Sequence, residues 1–380
     1  VSLNEYIWLN INKYPQYWDA AGHFIESIRM FHILNKGLFA YPDIIRDATY
    51  YPPLVTLSGT PFYYFFGPSI NIGTWGMNCI FLGILIFSIY SLGKNIKNVK
   101  TGILSAIIVV SFPFIGESSK IFMLDVPLVA LVSLSLYLLL KTELFSNRNF
   151  SIFFGISLGL GMLTKWTFAL FLAGPLLYYS ILVYQNGRLD KNNLIYSGKN
   201  FLLSTVIGGL IAGIWYLPHL KIIFELFSNA GIETFEPNYF IITIWMASLY
   251  FTLLFLIMNC YLLYAKRIDQ KIFTLLLSMI IPFIILSLQS NRDARFLSPI
   301  LPAMALIISI GIFSLKNVTL KRVILFLSIL FALALFISSS YGTPSIPFYK
   351  ELGLVTSINI GSDKIPLFGT TYNLIRIPNS

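Results

Sequence analysis

Long apolar runs dominate the chain from about residue 70 onwards, and no period of 20–50 residues recurs. A membrane-spanning helix needs about 20 mainly apolar residues, and fewer where the bilayer is locally thin. Several runs are short, which favours re-entrant or shielded helices over lipid-facing ones. The pattern therefore predicts an all-α polytopic membrane protein with about ten transmembrane helices. The predicted segments are approximately 70–93, 101–115, 121–140, 150–164, 166–185, 200–218, 239–265, 272–289, 296–315 and 323–340.

The composition excludes the main non-membrane classes. Hydrophobic residues make up 56% of the 380 residues and charged residues only 11%, and mean hydropathy is +0.76. A soluble domain carries about 25% charged residues, so this chain is neither soluble, disordered nor a coiled coil. Its two cysteines, Cys79 and Cys260, lie in apolar runs. That placement argues against a disulfide framework or a Cys-rich metal site.

The distribution of charge predicts the orientation of the helices. Five short loops on one side of the predicted bundle hold 14 of the 26 Lys and Arg residues. The positive-inside rule places such loops in the cytoplasm. Of the 16 acidic residues, only Glu143, Asp190 and Asp269 fall on that side. We therefore expect the long acidic and aromatic segments, and any chemistry, on the outer face of the plasma (inner) membrane. The five loops are 94–100, 141–148, 186–199, 266–271 and 316–322.

These assignments divide the chain into three regions. Residues 1–69 are predicted to form an outer first loop with interfacial helices, and residues 70–340 the helix bundle. Residues 341–380 are mixed polar and rich in proline, which predicts a short outer cap. The chain begins with Val and enters an outer segment with no preceding apolar run. We therefore expect that a further N-terminal helix is missing from this sequence.

Two aspartates stand out as candidate functional groups. Asp19 lies at a predicted loop-to-helix junction, and His23 follows four residues later on the same helix face. Asp125 lies at the outer end of a predicted span, with Pro127 in the first turn. Each has a plain alternative role as a helix cap. A carboxylate at membrane depth is nevertheless a functional candidate by default, and the topology brings both aspartates to the outer face.

Three cations are predicted at the same face. Lys165 lies at the tip of a tight hairpin between two short spans, and Arg292 and Arg295 lie in another short outer loop. Arginine offers a planar fork that matches phosphate oxygens. The alternative is that these side chains simply extend toward lipid headgroups.

A series of short motifs in this order resembles the GT-C glycosyltransferases, specifically the branch of protein O-mannosyltransferases and the aminoarabinose transferase of lipid A. The resemblance covers roughly residues 15–315. Besides Asp19 before an interfacial helix, it rests on Tyr50-Tyr51-Pro52-Pro53-Leu54, Leu124-Asp125-Val126-Pro127-Leu128, Gly159 to Lys165, Trp215-Tyr216-Leu217-Pro218, and Arg292-x-x-Arg295-Phe296-x-x-Pro299.

The resemblance implies an enzyme that transfers a hexosyl or pentosyl group from a polyprenyl-phosphate donor to a glycan, lipid or protein acceptor, with inversion. It implies that Asp19 is the catalytic base and Asp125 its partner. Substrate binding would fall to His23, Tyr50, Tyr51, Lys165, Arg292 and Arg295. No organic cofactor is implied. A divalent metal is possible. Family members often carry an acidic residue directly after the first aspartate, whereas this chain has Ala20, and this difference argues against a metal site of the family type.

Three alternatives remain from the sequence. A flippase or transporter of a lipid-linked intermediate would place charges along a path across the bilayer. A non-catalytic member of the same fold would share the topology without the chemistry. A polymerase or ligase that uses a diphosphate-linked oligosaccharide would share the topology with a larger donor. The motifs do not point to nucleic acid as a partner.

Overall fold

The computed structural model describes residues 2–11, 19–37, 41–47, 51–187, 191–228, 238–289, 293–341, 355–360 and 363–368. Up to residue 341 the described chain is helical, which confirms the all-α prediction for the bundle. Its helices are α1 (Ser2–Ile11), α2 (Asp19–Leu34), α3 (Tyr41–Asp47), α4 (Leu54–Ser58), α5 (Thr60–Phe66), α6 (Ile70–Ile96), α7 (Val99–Ser111), α8 (Pro113–Ser118), α9 (Asp125–Lys141), α10 (Arg148–Met162), α11 (Phe168–Gly187), α12 (Lys191–Tyr216), α13 (Leu220–Ser228), α14 (Asn238–Ala247), α15 (Leu249–Tyr264), α16 (Gln270–Ser287), a 3₁₀ helix (Ala294–Ile300), α17 (Leu301–Ser314) and α18 (Val318–Tyr341).

Each of the ten predicted segments contains a helix, but the helices differ in length. Within the described residues, six helices are long and apolar enough to cross a membrane. The remaining predicted segments correspond to shorter helices, among them α7 with 13 residues, α9 with 17 and α10 with 15. The six long segments are Ile70–Ile96, Phe168–Asn186, Asn192–Tyr216, Gln270–Ser287, Arg295–Ser314 and Val318–Ser339.

Helices α9 and α17 form the centre of the bundle. Nearly every side chain of both helices is buried, because neighbouring helices cover them on all sides. A helix that is apolar all round is typical of such a position. Helix α18, in contrast, buries only 11% of its apolar window and presents the rest to its surroundings. The short helix α9 can therefore begin at an aspartate, since protein rather than lipid surrounds it.

Close packing between α10 and α12 depends on small residues. A Cβ on Gly155 would lie 2.6 Å from the Ser204 carbonyl oxygen, and one on Gly159 would lie 2.5 Å from the Ile211 Cβ. Gly155 and Gly159 therefore form a close-packing surface on α10. Gly209 of α12 takes no part in this contact, since a Cβ there would meet nothing within 4 Å.

The predicted span 239–265 is broken into two helices. Ser248 separates α14 from α15 and has φ 74°. This backbone conformation cannot continue an α-helix. The Ser248 hydroxyl accepts a hydrogen bond from the Phe251 amide and so caps α15.

The predicted cytoplasmic loops meet at one end of the bundle. Lys97 Nζ donates to Ser314 Oγ at 2.8 Å, and Arg267 Nη1 donates to the Ser314 carbonyl oxygen at 2.6 Å. Lys271 Nζ donates to the Asn95 carbonyl oxygen at 3.1 Å. These contacts bring together two of the loops that the charge pattern assigns to one side, 94–100 and 266–271, and the end of α17, which directly precedes a third.

A separate small unit follows the bundle, comprising residues 341–380. Its described part is an antiparallel pair of strands, β1 (Val355–Ile360) and β2 (Asp363–Phe368), with Val355 opposite Phe368. This strand pair was not predicted from the sequence.

Candidate active site

Asp125 begins the central helix α9 and is buried, with 1% of its surface exposed. The residue at the N-cap is Leu124, and Asp125 makes no capping hydrogen bond. Neither carboxylate oxygen has a hydrogen-bond partner in the described part of the chain. A buried carboxylate in this state is costly. The helix-cap alternative is therefore not supported, and the carboxylate remains available to a ligand.

Lys165 lies between α10 and α11 and is buried as well. Its Nζ lies 3.9 Å from Asp125 Oδ1 and 4.7 Å from the centre of the Phe296 ring. The ammonium thus faces the protein interior rather than lipid headgroups, which excludes the snorkelling alternative for this residue. The Phe296 ring face provides it with a cation–π contact.

Asp19 begins helix α2 and is half-exposed. Its Oδ2 accepts a hydrogen bond from Arg295 Nη1 at 3.3 Å, although the two residues are 276 positions apart. One turn further along α2, His23 is buried with its ring edge-to-face against Tyr51, at 5.3 Å between ring centres. Burial lowers the pKa of His23 to about 4, more strongly than nearby Asp19 raises it. His23 is therefore a neutral imidazole at pH 7.

Arg295 is held by a second carboxylate, from Asp293. Asp293 Oδ2 lies 2.8 Å from Arg295 Nε and 2.6 Å from Nη2, and Asp293 Oδ1 accepts from the Arg295 backbone amide at 3.0 Å. Asp293 is also the N-cap of the 3₁₀ helix Ala294–Ile300. The guanidinium consequently bridges Asp293 and Asp19.

The two ion pairs belong to one electrostatic cluster. Burial is the largest influence on the pKa of Lys165 and lowers it, and the nearby Arg295 lowers it further. The carboxylates of Asp125, Asp293 and Asp19 raise it. Five charged groups from four separate segments therefore influence one another. Such a cluster of buried and opposed charges is typical of a functional site.

The first loop is attached to the bundle beside this cluster. The Ser27 hydroxyl donates to the Thr56 carbonyl oxygen at 2.6 Å, and the Leu54 amide donates to the Leu163 carbonyl oxygen at 3.3 Å. The first contact joins α2 to α4, and the second joins the start of α4 to the segment that carries Lys165. Together they hold Asp19 and His23 near Lys165.

The predicted site residues thus fall into two groups. Asp19, His23, Tyr51, Asp125, Lys165 and Arg295 lie at this end of the bundle, whereas Tyr50 and Arg292 lie outside the described residues. Sequence reasoning missed Asp293 and Phe296. Asp293 offered a signal, because an aspartate two residues before an arginine can accept from its amide in an Asx turn.

A metal site is not evident in the described part of the chain. That part contains no group of three or more His, Cys, Asp or Glu side chains that could hold a metal ion. We therefore assign no step of the chemistry to a metal.

Comparison with known proteins provides the fold family. Residues 52–211 match the family model described as dolichyl-phosphate-mannose-protein mannosyltransferase. The structure is similar to ArnT from Cupriavidus metallidurans bound to undecaprenyl phosphate, with TM-score 0.71 and 12% identity over 89% of this chain and 74% of ArnT. The chain has the GT-C glycosyltransferase fold. The predicted resemblance is thereby confirmed.

Other comparisons agree with the GT-C fold. The apo structure of the same ArnT has TM-score 0.66 and 14% identity over 84% of this chain and 59% of that one. The Archaeoglobus fulgidus oligosaccharyltransferase, in complex with Zn and sulfate, has TM-score 0.50 and 16% identity over 80% of this chain. This chain spans 46% of that protein's length. A search of curated protein sequences finds no significant match.

Proposed function

We propose that this protein is a multi-pass membrane glycosyltransferase that moves a sugar from a polyprenyl-phosphate donor to an acceptor, with inversion at the anomeric carbon. The family-model match to mannosyltransferases and the similarity to an ArnT bound to undecaprenyl phosphate support the donor class. The acceptor is a glycan, a lipid or a protein, and the transferred sugar is a hexose or a pentose.

One observation carries the proposal. Two carboxylates and two cations from distant segments form ion pairs at the same end of the bundle: Asp19 with Arg295, and Asp125 with Lys165. The exposed pair contains the candidate base. The buried pair contains the Lys165 ammonium and the Asp125 carboxylate, whose two oxygens have no hydrogen-bond partner among the described residues. Displacement of a phosphate from a sugar needs a carboxylate that accepts the acceptor proton and cations that stabilise the leaving phosphate.

The chemistry follows from these groups. Asp19 removes the proton from the acceptor hydroxyl while the acceptor oxygen forms a bond to the anomeric carbon. The bond from that carbon to the phosphate oxygen breaks, and polyprenyl phosphate leaves with the electron pair. Lys165 and Arg295 stabilise the charge that develops on the phosphate. A phosphate is a good leaving group, so no general acid is required. Asp125 orients Lys165 and accepts hydrogen bonds from sugar hydroxyls.

We place the site on the outer face of the plasma membrane. The basic loops that contact Ser314 lie at the end of α17 that is remote from Arg295, and the positive-inside rule assigns such loops to the cytoplasm. The donor and acceptor then meet outside. The polyprenyl tail remains in the bilayer beside the site.

The decisive experiment measures sugar transfer by purified protein in liposomes. Radiolabelled polyprenyl-phosphate hexoses and aminopentoses and a diphosphate-linked oligosaccharide are offered. Release of label from the lipid carrier and movement of the intact carrier across the bilayer are both followed. Wild type should release label from one class of donor. Asp19→Asn should lower transfer about 10²- to 10⁴-fold, the usual contribution of a general base. Its thermal stability should change little, because the pair it breaks is exposed.

Each contrary outcome has a distinct meaning. Normal transfer by Asp19→Asn would remove Asp19 as the base. Wild type that moves intact carrier across the bilayer without releasing label would establish the flippase alternative. Release of label only from diphosphate-linked oligosaccharides would establish the polymerase or ligase alternative. Asp43→Asn is the matched control, since it breaks the exposed Asp43–Arg46 pair outside the proposed site.

A further inference from the structure

Asp293 engages Arg295 through both of its carboxylate oxygens. Oδ1 accepts from the Arg295 backbone amide at 3.0 Å, and Oδ2 lies 2.8 Å from Nε and 2.6 Å from Nη2. Side chains two positions apart do not face each other on an α-helix. They meet here because Asp293 is extended, with φ −65° and ψ 131°, and Arg295 lies in the first turn of a 3₁₀ helix. The local backbone thus builds a clamp for the guanidinium.

The two carboxylates hold Arg295 unequally. Asp293 takes the Nε and Nη2 edge with two short contacts, and its side chain is only 20% exposed. Asp19 takes Nη1 through one 3.3 Å contact and is 51% exposed. Short, charge-assisted contacts at two nitrogens are stronger than a single long one in solvent. The Asp19 contact is therefore the one that an incoming anion replaces, while the Asp293 contact persists.

From this asymmetry we propose that Asp293 is a positioning residue for the transfer reaction. It fixes Arg295 through Nε and Nη2, so that Nη1 faces Asp19 and the site that also contains Lys165. The inference rests on the proposed function, since Nη1 is then presented to the donor phosphate. When the phosphate binds, Nη1 moves from Asp19 to a phosphate oxygen, and Asp19 is released to accept the acceptor proton. Asp293 itself touches neither substrate.

The competing role for Asp293 is purely structural, as the cap of the 3₁₀ helix. The variant Asp293→Asn separates the two roles. Asparagine retains a side-chain oxygen that can accept from the Arg295 amide and is a good capping residue. It loses the charge and the second oxygen that the guanidinium contacts. A cap role predicts little change for this variant, whereas a positioning role predicts a loss of transfer.

The first arm of the test is a double-mutant cycle in the liposome assay. Asp293→Asn is expected to lower kcat about 10- to 100-fold, the equivalent of charge-assisted hydrogen bonds lost. In an Arg295→Ala background the same change should have no further effect, because Asp293 acts through Arg295. An equal loss in both backgrounds would overturn the proposal.

The second arm is chemical rescue. Guanidinium ion at millimolar concentration should restore part of the activity of Arg295→Ala, because Asp293 can hold the free ion where the side chain was. It should not rescue Arg295→Ala/Asp293→Asn. A structural cap would not produce this difference, so equal rescue of both variants would also refute the positioning role.

The design keeps failure of the inference distinct from failure of the proposed function. Wild type without transfer on any donor removes the proposed function and the inference together. If wild type transfers sugar but the effects of Asp293→Asn and Arg295→Ala on kcat are additive, the inference fails and the proposed function stands. Should Asp293→Asn fail to fold, Asp293→Ser takes its place, since serine also caps helices but carries no charge. Asp43→Asn should transfer at the wild-type rate, since it lies outside the site.

Discussion

Lys165 and Asp125 form a buried ion pair with incomplete hydrogen bonding. Nζ lies 3.9 Å from Oδ1, and neither oxygen of Asp125 has a hydrogen-bond partner among the described residues. Burial of two charges costs more than a pair at this distance regains unless further hydrogen bonds complete it. The arrangement is therefore poor for stability. It suits a site where sugar hydroxyls and a phosphate complete the bonding.

This relationship predicts a non-additive mutant series. Lys165→Met leaves the Asp125 carboxyl buried without its cation, and we expect a loss of about 3–5 kcal/mol in stability. Adding Asp125→Asn to that variant should restore most of the stability, because neither position of the pair then carries a buried charge. Both variants should lack transfer activity. Thermal midpoints in detergent, measured beside the liposome assay, test this. A double variant less stable than Lys165→Met would contradict it.

His23 predicts a pH dependence of stability. Its pKa in the folded protein is about 4, against 6.5 for an ordinary histidine. The folded state therefore binds fewer protons than the unfolded state between about pH 4 and 6.5, so stability rises with pH across that window. The contribution amounts to at most about 3 kcal/mol.

The measurement is the thermal midpoint of wild type and His23→Gln from pH 4 to 7. The thermal midpoint of His23→Gln should fall less below pH 6.5 than that of wild type. His32, exposed on the same helix, provides the matched control. His32→Gln removes an imidazole without removing a buried one. A decline of equal size in wild type and His23→Gln would show that His23 is not the group responsible.

Glu5 predicts the opposite sign, outside the active site. Glu5 is 3% exposed, and burial raises its pKa well above the ordinary value. Stability should therefore be fully present below about pH 4.5 and decline as pH rises toward the folded pKa. Glu5→Gln removes this decline.

We expect Glu5→Gln to raise the thermal midpoint at pH 8 and to leave it unchanged near pH 4. Glu143→Gln is the control, since Glu143 is an exposed glutamate in the loop between α9 and α10. A lower midpoint for Glu5→Gln at pH 8 would show that the ionised carboxylate stabilises α1.

The contact between α10 and α12 predicts a difference between two glycines. Gly159→Val should destabilise the protein by about 1–3 kcal/mol or more, because its Cβ would overlap the Ile211 Cβ. Gly209→Val should be tolerated, since the same Cβ meets nothing within 4 Å. Expression level and thermal midpoint of the two variants provide the comparison. Equal destabilisation by the two variants would show that close packing at Gly159 does not contribute to stability.

The orientation of the bundle predicts which loops react with reagents outside the cell. Lys36 lies two residues after the end of α2 and Asn317 in a basic loop, and both are exposed. In a background without Cys79 and Cys260, Lys36→Cys should react with an impermeant maleimide on right-side-out vesicles. Asn317→Cys should react only after permeabilisation. The reverse pattern would place the site in the cytoplasm.

Apolar runs were sufficient to locate the helices but not their breaks. The predicted run 239–265 is apolar throughout, and the break at Ser248 depends on one backbone angle that hydropathy does not encode. Gly155 and Gly159, four positions apart, mark a close-packing surface of α10 in the sequence. They did not identify its partner, because Gly208 and Gly209 are adjacent in sequence and only helix rotation decides that Gly208 faces α10.

Most members of the candidate site were predictable from the sequence, but their pairing was not. Carboxylates and cations are rare in apolar sequence, so Asp19, Asp125, Lys165 and Arg295 were visible as exceptions. Which of them pair was not visible. The sequence gives no reason to choose Asp19 rather than Asp125 as the partner of Arg295, nor to assign Asp293 to its other edge.

By itself the sequence determined the membrane environment, the approximate helices and the identity of the unusual polar residues, because the cost of placing polar groups in lipid acts on each segment separately. Only the tertiary structure decided that Lys165 faces Asp125 and that Arg295 bridges Asp293 and Asp19. Coulomb interactions depend on the distance between charges in the folded chain. Those distances are set by helix packing across as many as 276 residues of sequence.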